Sequence, residues 1–143
     1  MLVNNSYHDP ELKKKINDHL GKPFTLKERF KMGGIGSPKM KITDSSIQIR
    51  NLLILDNSTK TCNIELRPKG ILLGFQIRLQ TYLLIIPFYK LTIYKGSAEE
   101  YSIYVDQHYV KVLARKQDTS IHKYFKKLLS YKADNQPDTI DKL

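Results

Sequence analysis

Few side chains in this sequence are suited to covalent chemistry, and they are scattered. Nucleophilic catalysis needs a Ser or Cys oriented by a base, with a third group orienting the base. Cys62 is the one cysteine. It has no Cys or His within four residues, so it reads as a small strand residue, and an internal disulfide is excluded. His8, His19, His108 and His122 show no H-x-x-x-H spacing, and no G-x-S-x-G occurs. Glu99 and Glu100 are adjacent and would point to opposite sides of a strand, which suits a solvated turn better than acid–base work. The run GGIGSPK at 33–39 has glycines that could cradle a phosphate, but it matches neither common phosphate-loop spacing and reads as a linker. No catalytic residue, metal ligand or cofactor is expected, and the chain is not expected to be an enzyme.

Charge offers more. The net charge is +10 over 143 residues. Residues 1–43 carry +5, residues 44–133 carry +7 and residues 134–143 carry −2. Such a balance attracts nucleic acid, acidic lipid or acidic protein, or else only solubilises. Lys13, Lys14 and Lys15, with Lys22, Lys27, Arg29 and Lys31, form the densest basic segment, a candidate electrostatic arm. Six tyrosines between Tyr82 and Tyr109 could stack on bases, although strand tyrosines mostly pack.

These groups must be positioned by local structure. Pro10–Leu20 predicts a helix, with Asp9 as N-cap, Pro10 at its first position, Gly21 as stop, and Leu12, Ile16 and Leu20 as a stripe. A second short helix is expected over Thr25–Met32, anchored by Leu26, Phe30 and Met32. From Ile47 the period becomes two. Strands are expected at 47–55, around Ile64 and Leu66, and over ILLGFQIRL, where Phe75, Ile77 and Leu79 share one face and Gln76, Arg78 and Gln80 the other. The apolar stretch YLLIIPFYKLTIYKG holds Pro87, which fits a bend or strand start, with a strand following over 88–94. Lys90 and Lys95 interrupt it, and a spanning helix needs roughly 20 apolar residues. No membrane span is therefore expected. The start MLVNNSYHDP lacks the pattern of a secretory signal. Strands at 101–105 and 109–114 flank a turn at Asp106–His108. Ile121, Tyr124, Phe125, Leu128 and Leu129 then mark an amphipathic helix.

The segments KGILLGF (69–75), LLIIPFYKL (83–91), YSIYVDQHYVKV (101–112) and IHKYFKKLL (121–129) together resemble the pleckstrin-homology-like (PH-like) superfamily, particularly its bacterial PH and GRAM-type members. The resemblance covers about residues 45–133. It implies an α+β, mainly β fold: a bent antiparallel sheet or partial barrel capped by a C-terminal amphipathic helix. It also implies a binding module rather than an enzyme. In PH domains that bind phosphoinositides, a Lys precedes a Lys/Arg-x-Arg pair near the first hairpin. Lys60, Arg67 and Lys69 lie in the corresponding neighbourhood, with Lys at the last position. Three parts are expected: a basic helical extension (1–43), a PH-like domain (44–133) and a polar tail (134–143) that frays.

The candidate anion or partner contacts are therefore Lys13, Lys14, Lys15, Lys60, Arg67, Lys69 and Arg78. The expected function is non-catalytic binding of a protein or peptide, with association to acidic membrane surfaces also open. Nucleic-acid binding through the basic arm and sheet is the alternative, and an enzyme of unrecognised class is the least favoured. A single cysteine suits a cytoplasmic setting, with peripheral contact at the inner face of the membrane left open.

Overall fold

The computed structural model describes residues 1–5, 9–96 and 98–135. In chain order the elements are β1 (Leu2–Asn4), α1 (Pro10–Leu20), α2 (Leu26–Met32), β2 (Met40–Ser45), α3 (Ile47–Leu53), β3 (Thr61–Arg67), β4 (Gly70–Ile77) and β5 (Gln80–Pro87). A 3-10 turn at Phe88–Lys90 leads to β6 (Thr92–Lys95), β7 (Glu100–Val105), β8 (His108–Leu113) and α4 (Thr119–Asn135). The strands form one antiparallel sheet in the order β1-β5-β4-β3-β2-β8-β7-β6. The fold is thus α+β, and the sheet is not closed into a barrel, since β1 and β6 end it.

The long apolar run in the middle of the chain follows from burial on both sides. Successive strand residues face opposite ways. Ile71, Leu73, Leu84 and Ile86 of β4 and β5 enter the main core. Leu72 and Ile85, pointing the other way, pack against Ile16 and Leu20 of α1 in a second cluster. Strands covered on both faces need not alternate with polar residues. α1 holds its place by the expected means: Asp9 accepts from the amides of Glu11 (3.0 Å) and Leu12 (3.4 Å). Gly21, at φ 82°, ends the helix in a conformation that favours glycine.

α4 carries Ile121, Tyr124, Phe125 and Leu128 into the main core. Phe125 stacks on Tyr101 of β7 with ring centroids 4.0 Å apart. The Tyr124 hydroxyl lies 3.0 Å from the Ile35 carbonyl oxygen and 3.3 Å from that of Ile64 in β3. One helix therefore touches β3 and β7, which β2 and β8 separate in the sheet. A flat sheet would hold those strands roughly 14 Å apart, so the sheet bends around the helix.

Several expectations need correction. Ile47–Leu53 is helix α3, not strand. The alternation of Ile47 and Ile49 covers only four residues, whereas Ile49 and Leu53, four apart, are both buried in the main core while Ile47 faces solvent. The strand expected over 88–94 is shortened to Thr92–Lys95, because the chain after Pro87 coils into the 3-10 turn. Leu79 does not continue the face of Phe75 and Ile77. It sits in the β4–β5 turn, 88% exposed, beside Arg78 at φ 56°. In α2, Leu26 and Phe30 are not anchors; both face solvent, and Phe24 and Met32 supply the inward contacts. Leu129 of α4 is also partly exposed.

Leu2–Asn4 pairs with β5, and β2 pairs with both β3 and β8. A division between residues 43 and 44 thus falls within a strand in the middle of the sheet. Of the polar tail, Asp134 and Asn135 end α4, and the rest lies outside the described residues, as does His8.

Cys62 lies buried in β3, and burial pushes its thiol up to about 12. A thiolate is the reactive species. Native protein should therefore resist iodoacetamide at pH 8, and unfolding in urea should release one reactive thiol. Rapid labelling of the native chain would contradict this placement.

His108 begins β8 and is buried, and its Nδ1 has no hydrogen-bond partner among the described residues. Burial lowers its pKa from 6.5; the Met1 ammonium adds to this, and Asp106 opposes it. The folded state thus binds a proton less readily than the unfolded chain. The contribution of this group to stability is level above about pH 6.5 and falls as pH drops below it. Melting temperature should be lower at pH 5.5 than at 7.5, and His108→Gln should shrink that difference. An unchanged difference in the variant would assign the effect elsewhere.

Candidate functional site

β6 is the last strand of the sheet, paired on one side to β7 with Lys95 opposite Tyr101. Its far end meets the first turns of α4. The meeting point is a cleft of about 490 Å³ lined by Lys95, Ala98, Glu99, Ala114, Lys116 and His122. Several local contacts build it. The Ala114 amide donates to the Glu99 carbonyl (2.8 Å), extending the β7–β8 ladder by one bond. Asp118 accepts from the Arg115 amide (2.8 Å), which folds the chain back into α4. His122 Nε2 lies 2.9 Å from the Arg115 carbonyl oxygen, so that nitrogen carries the proton and donates. Nδ1 is then the acceptor, and the Tyr101 hydroxyl donates to it at 2.8 Å. Burial raises the Tyr101 pKa, keeping that hydroxyl protonated. Lys95 Nζ stands 5.5 Å from the centre of the Tyr101 ring.

The wall of the cleft is therefore braced by contacts on two sides. Tyr101 is held by Phe125 below and His122 beside it, while Lys95, Lys116 and Glu99 form a charged rim. Both nitrogens of the His122 imidazole are engaged, one by the Arg115 carbonyl and the other by the Tyr101 hydroxyl.

The basic residues expected as contacts do not form one site. Lys13, Lys14 and Lys15 are exposed on α1; Lys13 and Lys14 line a shallow depression with Pro10, Asn17, Asp18 and Lys22. Lys60 and Arg78 come together around Asp56. The Asp56 carboxylate accepts from the Arg78 amide (2.7 Å) and the Ser58 amide (2.8 Å), which holds it down to about 2. Arg78 Nε donates to the Leu55 carbonyl (2.9 Å), and Lys60 Nζ lies 3.5 Å from the Asp56 carbonyl oxygen. Arg67 is buried and turned inward. It pairs with Glu65 (2.5 Å) and donates to Asn17 Oδ1 (3.1 Å) and the Gly21 carbonyl (3.0 Å), tying β3 to the end of α1. Lys69 sits in the β3–β4 turn, its amide donating to the Leu20 carbonyl (2.9 Å). Lys60 thus precedes β3 at one end, while Arg67 and Lys69 are at the other. β3 has seven residues, a span of roughly 20 Å, too long for one phosphate headgroup.

The glycine run is not an anion cradle. The Gly33 and Gly34 amides close the C-terminal end of α2, bonding to Phe30 O (3.2 Å) and Arg29 O (2.8 Å). Among the described residues, no group of three or more His, Cys, Asp or Glu could hold a metal ion, and no helix is long and apolar enough to cross a membrane. The Tyr101–His122 pair escapes sequence reasoning because its members are 21 residues apart with no motif between them.

Comparison of the chain with protein-family models, curated proteins and solved structures gives no match.

Proposed function

We propose that the chain is a non-catalytic, PH-like binding module that captures an extended peptide segment along β6, beside α4. The strand order supports the PH-like part of this reading. β2 to β5 form one meander, β6 to β8 a second, β2 joins them through β8, and a C-terminal helix lies in the bend. The observation that carries the peptide reading is the cleft where the terminal strand meets α4. An edge strand offers main-chain hydrogen bonds to an incoming strand, and an adjacent pocket selects a side chain. The basic surface adds attraction to acidic partners, and the single buried thiol suits a reducing cytoplasm, with peripheral contact at the inner face of the membrane.

A random-peptide phage library panned against the folded protein tests this. Selected peptides should lose at least tenfold in affinity against Ala98→Trp, which fills the cleft from an exposed position. They should bind Lys13→Ala/Lys14→Ala unchanged. Equal binding to Ala98→Trp would remove the cleft from the account. Binding of a single-stranded oligonucleotide that weakens steeply with salt, with no peptide selected, would favour the nucleic-acid alternative.

A further inference from the structure

α2 carries two of its largest apolar side chains on the outside. Leu26 is 81% exposed and Phe30 89% exposed. Spaced four residues apart, they share one face of the helix. The helix is nonetheless firmly held. Thr25 and Glu28 form a capping box, with bonds of 3.2 and 2.9 Å. Arg29 Nε donates to the Phe24 carbonyl (3.0 Å), and Phe24 sits edge-on to Tyr131 of α4 at 5.8 Å. Lys127 Nζ donates to the Gly33 and Gly34 carbonyls, each at 3.2 Å. The outward pose of Leu26 and Phe30 is therefore set by contacts on the other side of the segment.

What surrounds the pair indicates what could cover it. Lys22, Lys27 and Lys31 are exposed on the same short segment, with Arg29 half-buried. The one acid among them, Glu28, is committed to the capping box. An aromatic ring and a leucine rimmed by ammonium groups complement a surface that is apolar beneath and anionic at the top. A nucleic acid could stack on Phe30 but would leave Leu26 in water. An acidic lipid bilayer satisfies both side chains and the cations at once.

We propose that α2 is a membrane-surface foot: it docks on bilayers bearing acidic headgroups, with Leu26 and Phe30 entering the boundary between headgroups and acyl chains and Lys22, Lys27 and Lys31 meeting the phosphates. Two side chains and a few cations give reversible attachment. This site is separate from the β6 cleft and does not rest on the peptide reading.

Vesicle co-sedimentation tests it, using phosphatidylcholine alone and phosphatidylcholine with roughly one quarter phosphatidylglycerol. The wild type should bind the acidic vesicles, at least tenfold more weakly the neutral ones, and progressively less as salt rises. Leu26→Ser/Phe30→Ser should lower binding by about tenfold or more, and Lys27→Glu/Lys31→Glu by a similar factor. All four positions are exposed, and circular dichroism with a thermal melt checks that both variants fold. If the Ser/Ser variant binds as well as the wild type, if the wild type ignores acidic vesicles, or if it binds only a single-stranded oligonucleotide in a parallel assay, the proposal is overturned. None of these outcomes touches the phage selection on β6.

Discussion

Phe125→Ala is expected to lower the unfolding free energy by about 3–5 kcal/mol and the melting temperature by roughly 10–20 °C. Phe125 is 1% exposed and sits where α4 crosses the bend in the sheet. Its removal deletes the ring stacked on Tyr101 and leaves a cavity that Ile121, Tyr124 and Leu128 cannot all collapse into. The loss is greater than a helix cap supplies, at about 1 kcal/mol. It also exceeds what an exposed lysine on the same helix contributes. Lys126→Ala should stay within about 0.5 kcal/mol of wild type. Equal melting points for the two variants would mean that α4 does not hold the sheet together.

Gly70→Ala should be nearly as damaging, by about 3 kcal/mol or more. A methyl group at Gly70 would press on the Ile86 carbonyl oxygen, on Leu20 Cδ2 at 2.6 Å and on Pro87 Cα at 2.8 Å. Two of these belong to the backbone of β5, which pairs with Gly70 directly, and the third belongs to α1. The backbone atoms cannot swing away and Leu20 is fully buried, so the β4–β5 ladder and the seat of α1 must both shift. Gly74→Ala in the same strand meets only Leu83 Cδ2 at 3.3 Å, Asn63 Oδ1 at 3.4 Å and a more distant carbonyl. It should cost clearly less in a urea titration. Comparable midpoints for the two glycine variants would contradict the close packing of α1 on β4 and β5.

Elements with a strong internal period are legible from the amino-acid order alone. α1 is marked by Asp9, Pro10 and Gly21, and α4 by the spacing of Ile121, Tyr124, Phe125 and Leu128. The hairpin strands β3, β4, β7 and β8 are legible for the same reason. Short segments are not. Over seven residues, α3 offers Ile47, Ile49 and Leu53, which fit a strand or a helix until burial chooses Ile49 and Leu53 together. β2 escapes because Met40, Ile42 and Ser45 gain their meaning from β3 and β8 on either side. In α2 the apolar spacing suits a helix, but of the expected anchors Met32 packs on the core while Leu26 and Phe30 face outward. No local signal says that Phe24, just ahead of the helix, fills the inward side in their place.

The candidate site is less legible still. Cations can be counted from sequence, but whether one is spent internally depends on neighbours far along the chain. Arg67 is taken by Glu65, Asn17 and Gly21, while Lys13 remains at the surface. The cleft beside β6 gathers Lys95, Ala114 and His122 from separate parts of the chain. No window short enough to show a motif contains them.

The most direct measurement is an amide NMR titration of the isotope-labelled chain with a phage-selected peptide. Strand addition should shift Thr92–Lys95 and the first turns of α4, and cross-strand contacts should appear between peptide and β6. Shifts confined to α1 around Lys13–Lys15, with β6 silent, would show that the edge strand is not where the partner sits.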